Sequence, residues 1–304
     1  MDSRLTVNAF TVDVEDYFQV SAFAREVHPN SWDDYESRVV GNTERILDLL
    51  REFGVTATFF VLGWVANKFP GLVSRIASDG HEVGCHSFWH RLVYDMSPTE
   101  FRDDLRQSRD VIQQAAGVPV TAYRAPSFSI VRRSLWALDV LVQEGFTMDS
   151  SIFPVRHDRY GIPEARIVPF QAQTDSGTIW EYPPTVLPLF GFNFPVGGGG
   201  YLRLYPYAIT QRALRRVNAT GRPFQIYVHP WEVDPNQPKL TGTMRSRARH
   251  YVNLGTTESK LRSLLEGFQF STLSQVLHSD SIVTRGDPPV RLSGERHPQP
   301  NSAT

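Results

Sequence analysis

The chain has 304 residues, of which 41% are hydrophobic and 21% charged, and its net charge is −1. That balance is ordinary for a globular protein and the length suits one large α/β domain or two modest ones. No basic excess is available to hold a phosphate backbone, so nucleic acid is excluded as a first-choice partner. The single cysteine, Cys85, excludes an intrachain disulfide and a cysteine-rich zinc site, and reads as a structural core residue. No stretch reaches the roughly 18–20 apolar residues of an integral membrane segment. The start, MDSRLTVNAF, has no apolar run behind a basic segment. The expected location is therefore cytoplasmic, with the inner membrane surface as a peripheral site of action. Aromatics make up 12% of the chain, which suits a packed core and a sugar-stacking cleft equally.

In chain order, residues 5–14 (LTVNAFTVDV) read as a buried strand ending in the cluster Asp13, Glu15, Asp16. Residues 42–53 show helical spacing through Ile46, Leu49, Leu50 and Phe53, closed by Gly54. A second strand is predicted over 55–62, a helix over 66–78, and a short strand over 81–85 that leads into HSFWH. Residues 98–116 read as a helix with proline at its start and Gly117 at its end. A strand near Ala122 leads to YRAPSF, then a helix covers 135–144 and a strand 146–149. The spacing predicts parallel strands with helical crossovers, and it places acids and histidines at the C-terminal strand ends, where such folds collect chemistry. Residues 155–205, rich in Pro, Gly and aromatics and containing Gly197 to Gly200, read as a loop-rich insertion with short strands over the active face. The glycine run suits a hinge or a close backbone approach, and it lacks phosphate-loop spacing. A helix is predicted over 207–217, a strand over 224–228 ending at His229, and a last helix over 257–266. Residues 1–282 read as a single catalytic domain and 283–304 as a disordered tail.

His86 and His90 form an HxxxH pair. A separation of i, i+4 sets two imidazoles on one face of a helical turn, where they can share a cation. Three carboxylates in four residues, Asp13, Glu15 and Asp16, repel one another and call for a compensating positive group. On an extended strand Asp13 and Glu15 point the same way and Asp16 the other. If the strand has already ended, Asp16 can swing inward. Arg124 carries a fixed fork that can pin a carboxylate and lower its pKa. Asp149, in MDSSIFP, is a further acid at a strand end, able to pair with Arg124 or with a histidine. His229, in IYVHPWE, can serve as a general acid tuned by a carboxylate.

Taken in order over roughly residues 5–230, these segments resemble the NodB-type polysaccharide deacetylases, carbohydrate esterase family four. TVDVED stands where that family has TFDDG, HSFWH resembles its histidine motif, and YRAPSF resembles its arginine motif. DSSIFP and IYVH are similar to its fourth and fifth motifs. DVEDYF together with HPWE further resembles the subgroup associated with exosortase and exopolysaccharide loci, with residues 230–282 as a subgroup-specific part. The resemblance implies a distorted (β/α) barrel with outer helices. It implies Asp13 as general base, His86 and His90 as metal ligands, and Arg124 orienting Asp13. It implies His229 as general acid, with Asp149 tuning it. It further implies a divalent ion, zinc first and nickel, cobalt or iron as alternatives, and an N-acetylated poly- or oligosaccharide substrate that releases acetate. The chain departs from the pattern at Val14, which occupies the place of the second adjacent aspartate, so Glu15 or Asp16 must supply the carboxylate ligand. The rival readings are a hydrolase of small cyclic amides or ureides, and a sugar-binding relative without catalysis.

Overall fold

The structure is a computed structural model that describes residues 6–279 and 287–292. The first half alternates strand and helix: β1 (Val7–Val14), α1 (Val39–Glu52), β2 (Thr58–Val61), α2 (Gly63–Lys68), α3 (Pro70–Ser78), β3 (Glu82–Cys85), α4 (Pro98–Ala116), β4 (Ala122–Tyr123), α5 (Trp136–Gln143) and β5 (Met148–Asp149). The second half adds β6 (Phe170–Gln173), β7 (Thr178–Glu181), β8 (Val186–Leu189), β9 (Phe192–Pro195), α6 (Gly199–Leu204), α7 (Tyr207–Asn218), β10 (Gln225–Val228), α8 (Met244–Tyr251), α9 (Thr257–Gly267), β11 (Gln269–Ser271) and α10 (Leu273–His278). The main sheet runs β10-β1-β2-β3-β4-β5-β7-β6, parallel throughout except for the β6–β7 pair.

β1 is buried along nearly its whole length, as a parallel strand covered on both faces requires. β10 pairs with it over Ala9 to Val12, while β11 (Val7 to Ala9) and β2 (Thr11 to Val14) also pair with it. Both halves of the chain therefore complete one sheet around β1. No strand pairing joins β6 back to β10 among the described residues. Residues 182–198 bridge the gap instead. Gln225 Nε2 donates to the Tyr182 carbonyl at 2.8 Å, and the Tyr227 amide donates to the Gly197 carbonyl at 2.9 Å. The expected α/β architecture with outer helices holds, as an incompletely closed parallel sheet.

Local sequence explains most boundaries. α4 begins with a capping box, since Ser97 Oγ accepts from the Glu100 amide and Glu100 Oε2 accepts from the Ser97 amide at 2.8 Å. It ends at Gly117 in the left-handed region. The helix predicted over 66–78 is two helices, broken at Phe69, because the residue before Pro70 is driven out of the helical region. The insertion holds β6 to β9 and α6, more regular structure than its composition suggests. Its hairpin exposes Phe190, Phe192 and Phe194. Within the expected tail, residues 287–292 lie against β6: the Val290 amide donates to the Gln171 carbonyl at 2.8 Å. The rest of the tail, 293–304, and residues 280–286 lie outside the described residues. No helix among the described residues is long and apolar enough to cross a membrane.

Candidate metal centre and its acid–base frame

The C-terminal ends of β1, β3, β4 and β10 bring Asp13, His86, Arg124 and His229 to one face, and the turns just beyond add Glu15 and His90. Glu15, His86 and His90 each present a ligand atom, all within 4.8 Å of one another, and all three side chains are buried. Glu15 reaches the cluster because the chain turns at once after β1, with its amide bonded to the Asp13 carbonyl at 3.0 Å. The histidines meet in a way the sequence pattern does not anticipate. The predicted helical turn is absent. Ser87 and His90 both adopt left-handed backbone, φ 69° and 54°, and fold the loop so that the rings lie 5.4 Å apart. Non-glycine residues in that region cost energy, and such positions concentrate at functional sites. The loop is anchored by Asp104 of α4, which accepts from the Phe88 amide at 3.1 Å.

Protonation favours cation binding. His86 Nδ1 lies 2.7 Å from the Arg124 carbonyl, so Nδ1 carries the proton and Nε2 presents a lone pair. Burial pushes the His86 imidazole down to about 4, further toward the neutral form. Glu15 Oε2 is buried and lies 2.7 Å from His90 Nε2. Two lone pairs at that distance would repel, so a proton or a metal cation belongs between them. Burial raises the Glu15 carboxyl, but the charges of and bonding to His90, then His229 and His86, reverse this and hold it at about 2. Two imidazole nitrogens and one carboxylate suit a divalent ion.

Asp16 is not part of this cluster. Its Oδ2 accepts from Ser37 Oγ at 2.7 Å and from the amides of Arg38 and Val39 at 2.8 and 3.1 Å. It thereby ties down the orphan amides at the start of α1. The two orientations open for Glu15 and Asp16 are thus divided by the turn after β1.

On one side of the cluster, Asp13 Oδ1 accepts from Arg124 NH1 at 2.7 Å. Arg124 is fully buried and fully bonded, giving hydrogen bonds to Thr11 Oγ1, Ser150 Oγ and Gln225 Oε1 at 2.8, 2.9 and 2.6 Å, with its guanidinium 4.2 Å from the centre of the Phe60 ring. On the other side, His229 Nε2 lies 3.9 Å from Asp13 Oδ2 and 3.6 Å from Glu15 Oε1.

The carboxylate paired with His229 is Glu232, which sequence reasoning missed, and not Asp149. His229 Nδ1 lies 2.7 Å from Glu232 Oε1, and Glu232 Oε2 accepts from buried Arg203 Nε at 2.7 Å. Burial depresses the His229 imidazole, but the bond to Glu232 and the charges of Glu15, Glu232 and Asp13 raise it to about 9. The signal lay in HPWE, where an acid three residues after the histidine can reach back to it. Asp149 instead faces Glu181 across the β5–β7 register. Burial raises both carboxyls, as expected where two acids share one proton. Asp149 Oδ1 accepts from Ser151 Oγ at 2.5 Å, and Ser151 Oγ accepts from the Ala125 amide at 2.8 Å, so Asp149 braces the loop after Arg124. The glycine run has a close-approach role: a Cβ on Gly199 would sit 2.1 Å from Glu232 Oε1, and one on Gly198 2.4 Å from the Tyr227 hydroxyl.

Residues 30–146 match the family described as Polysaccharide deacetylase, and residues 150–278 match a domain of unknown function, DUF3473. Over residues 30–146 the chain is thus similar to the polysaccharide deacetylases. It is similar to the peptidoglycan-N-acetylglucosamine deacetylase of Bacillus cereus, 31% identical over 120 residues, which span 36% of this chain and 44% of that protein. It is also similar to the peptidoglycan-N-acetylmuramic acid deacetylase PdaC of Bacillus subtilis, 36% identical over 84 residues, spanning 28% and 18% of the two chains. The chain thus spans less than half the length of these curated relatives. A solved Mycobacterium smegmatis protein assigned as a polysaccharide deacetylase superposes over 98% of this chain and 96% of its own, with a TM-score of 0.61 at 18% identity, a likeness of fold.

Proposed function

We propose that this protein is a metal-dependent hydrolase that removes N-acetyl groups from amino sugars of a polysaccharide or its precursor. The observation that carries the reading is the convergence of Glu15, His86 and His90 between an Arg124-held Asp13 and a Glu232-held His229. Glu15, His86 and His90 would hold the ion, zinc by donor type and with nickel, cobalt or iron also compatible. A divalent ion there would polarise the amide carbonyl and make a bound water easier to deprotonate.

The chain's own groups do the rest. Arg124 holds Asp13 Oδ1, leaving Oδ2 to take a proton from the attacking water. The water oxygen bonds to the acetyl carbon. Glu232 holds Nδ1 of His229, so the proton on Nε2 points at the site and passes to the departing nitrogen as the C–N bond breaks. Acetate and a free amine result. His229 near pKa 9 stays protonated at neutral pH, as a general acid must. The match to DUF3473 over 150–278, with DVEDYF and HPWE, supports the exopolysaccharide-associated subgroup. The reading is tested by measuring acetate released from N-acetylchitotetraose by the zinc-loaded protein and by Asp13→Asn. Release by the wild type that the variant abolishes supports it. Equal release by both contradicts it.

A further inference from the structure

A cleft of about 520 Å³ adjoins the metal centre, lined by His90 together with Trp32, Trp89 and Tyr94. It runs into a second groove of about 210 Å³, with Ser21, Arg25 and Arg159 shared by the two. Ser21 Oγ lies 3.4 Å from His90 Nδ1 and accepts from Ser127 Oγ at 2.8 Å, so the junction sits beside the candidate ligands. The second groove is walled by Arg25 and Arg159 from loops and by Arg245 and Arg249 from α8, with Glu26 and Asp158 as its acids. None of the four guanidinium groups makes a salt bridge among the described residues. Arg249, Arg159 and Arg245 all act on His157, and Arg245 and Arg159 both act on Asp158, so their fields overlap. A chain of net charge −1 thus gathers at one end of its aromatic cleft four arginines that form no salt bridge among the described residues. Four clustered guanidinium groups against two acids repel one another, and the planar forks suit carboxylate or phosphate oxygens.

We propose that the substrate is an anionic glycan, and that Arg25, Arg159, Arg245 and Arg249 bind its carboxylate or phosphate group beside the N-acetyl sugar seated over the metal centre. This rests on the deacetylase reading and narrows its substrate class. The N-acetyl sugar lies against half-buried Trp89, and the neighbouring acidic group is held at the far end of the cleft. The attraction falls with ionic strength, since the groups are exposed and screening acts over ~10 Å at 0.1 M salt.

The test is calorimetric binding to the full chain, which does not require turnover. The probes are neutral N-acetylchitotetraose, a hyaluronan hexasaccharide that alternates N-acetylglucosamine with a carboxylate sugar, and N-acetylglucosamine 1-phosphate. The wild type should bind at least one anionic probe ~10-fold more tightly, per sugar in contact, than the neutral one. That preference should vanish in 0.5 M salt and in R245E/R249E, and should persist in the charge-matched control R212E/R216E on α7. Hyaluronan preference assigns the groove to a carboxylate, and sugar-phosphate preference to a phosphate. Equal binding of all three probes by the wild type overturns the proposal, and so does a preference that survives in R245E/R249E. Acetate assays on the same probes separate this from the deacetylase reading. Charge-selective binding without any acetate release retains the groove and removes the activity. Acetate release without charge selectivity does the opposite.

Discussion

Replacing Glu232 with glutamine isolates the group that sets the proton on His229. The carboxylate lies 2.7 Å from His229 Nδ1 and supplies both a hydrogen bond and a negative charge, while Glu15 and Asp13 act only by charge from 3.6 and 3.9 Å. Glutamine keeps the shape and offers a neutral acceptor, so a lowering of ~1–2 units in the His229 pKa is expected. From the wild-type value of about 9, the protonated fraction at pH 8 would drop from about 90% to roughly 10–50%. Histidine ring resonances, followed by NMR in the metal-free protein, read this directly. The alkaline limb of the pH–rate profile should move to lower pH by a similar amount. The sign for stability follows from the same shift. His229 is raised above its ordinary value of 6.5, so its contribution is fully present below that pH and is lost as pH rises through about 9. In E232Q this loss should be complete at lower pH. Asp149→Asn should leave the His229 titration where it is, because Asp149 bonds to Ser151 and faces Glu181. An unmoved His229 in E232Q, or an equal shift in D149N, would refute the reasoning.

Other substitutions separate the roles of neighbouring groups. Glu15→Gln should abolish stoichiometric zinc binding measured by calorimetry, whereas Asp16→Asn should retain it and lower thermal stability, by ~1–2 kcal/mol for a weakened cap on α1. Zinc retained in E15Q and lost in D16N would reverse the assignment. Gly199→Ala should destabilise the fold by ~1–3 kcal/mol in urea unfolding, because its Cβ has no room beside Glu232, and unchanged stability would show that the backbone gives way freely. Asp13→Asn should lower kcat by ~100-fold or more while leaving zinc affinity within about threefold. Loss of zinc instead would move Asp13 from base to ligand.

Much of the strand–helix order was legible because buried parallel strands appear as apolar runs such as LTVNAFTV, TFFV and QIYV, and amphipathic helices as spaced leucines and isoleucines. The shorter elements were not. α8 (MRSRARHY) buries little beyond His250 and has no apolar stripe, and β11 with α10 are too short for either period to show. The site was legible as a set of residues and less so as a geometry. His86 and His90 were found from their spacing, but helical spacing gave the wrong reason, since Ser87 carries no residue-type signal for left-handed backbone and His90 only a weak one. Glu15 and Asp16 could not be told apart until the turn after β1 fixed which carboxylate faced inward. The family resemblance implied that Asp149 tunes His229, yet β5 and β10 lie on opposite sides of β1, and the local acid of HPWE reaches the ring first.

The central claim is tested most directly by acetate release from N-acetylchitotetraose, measured on one preparation stripped of metal and then reloaded with zinc, with E15Q in parallel. Acetate should appear only after reloading, and E15Q should release none. Release by the stripped protein at the reloaded rate, or none from the reloaded wild type, would contradict it.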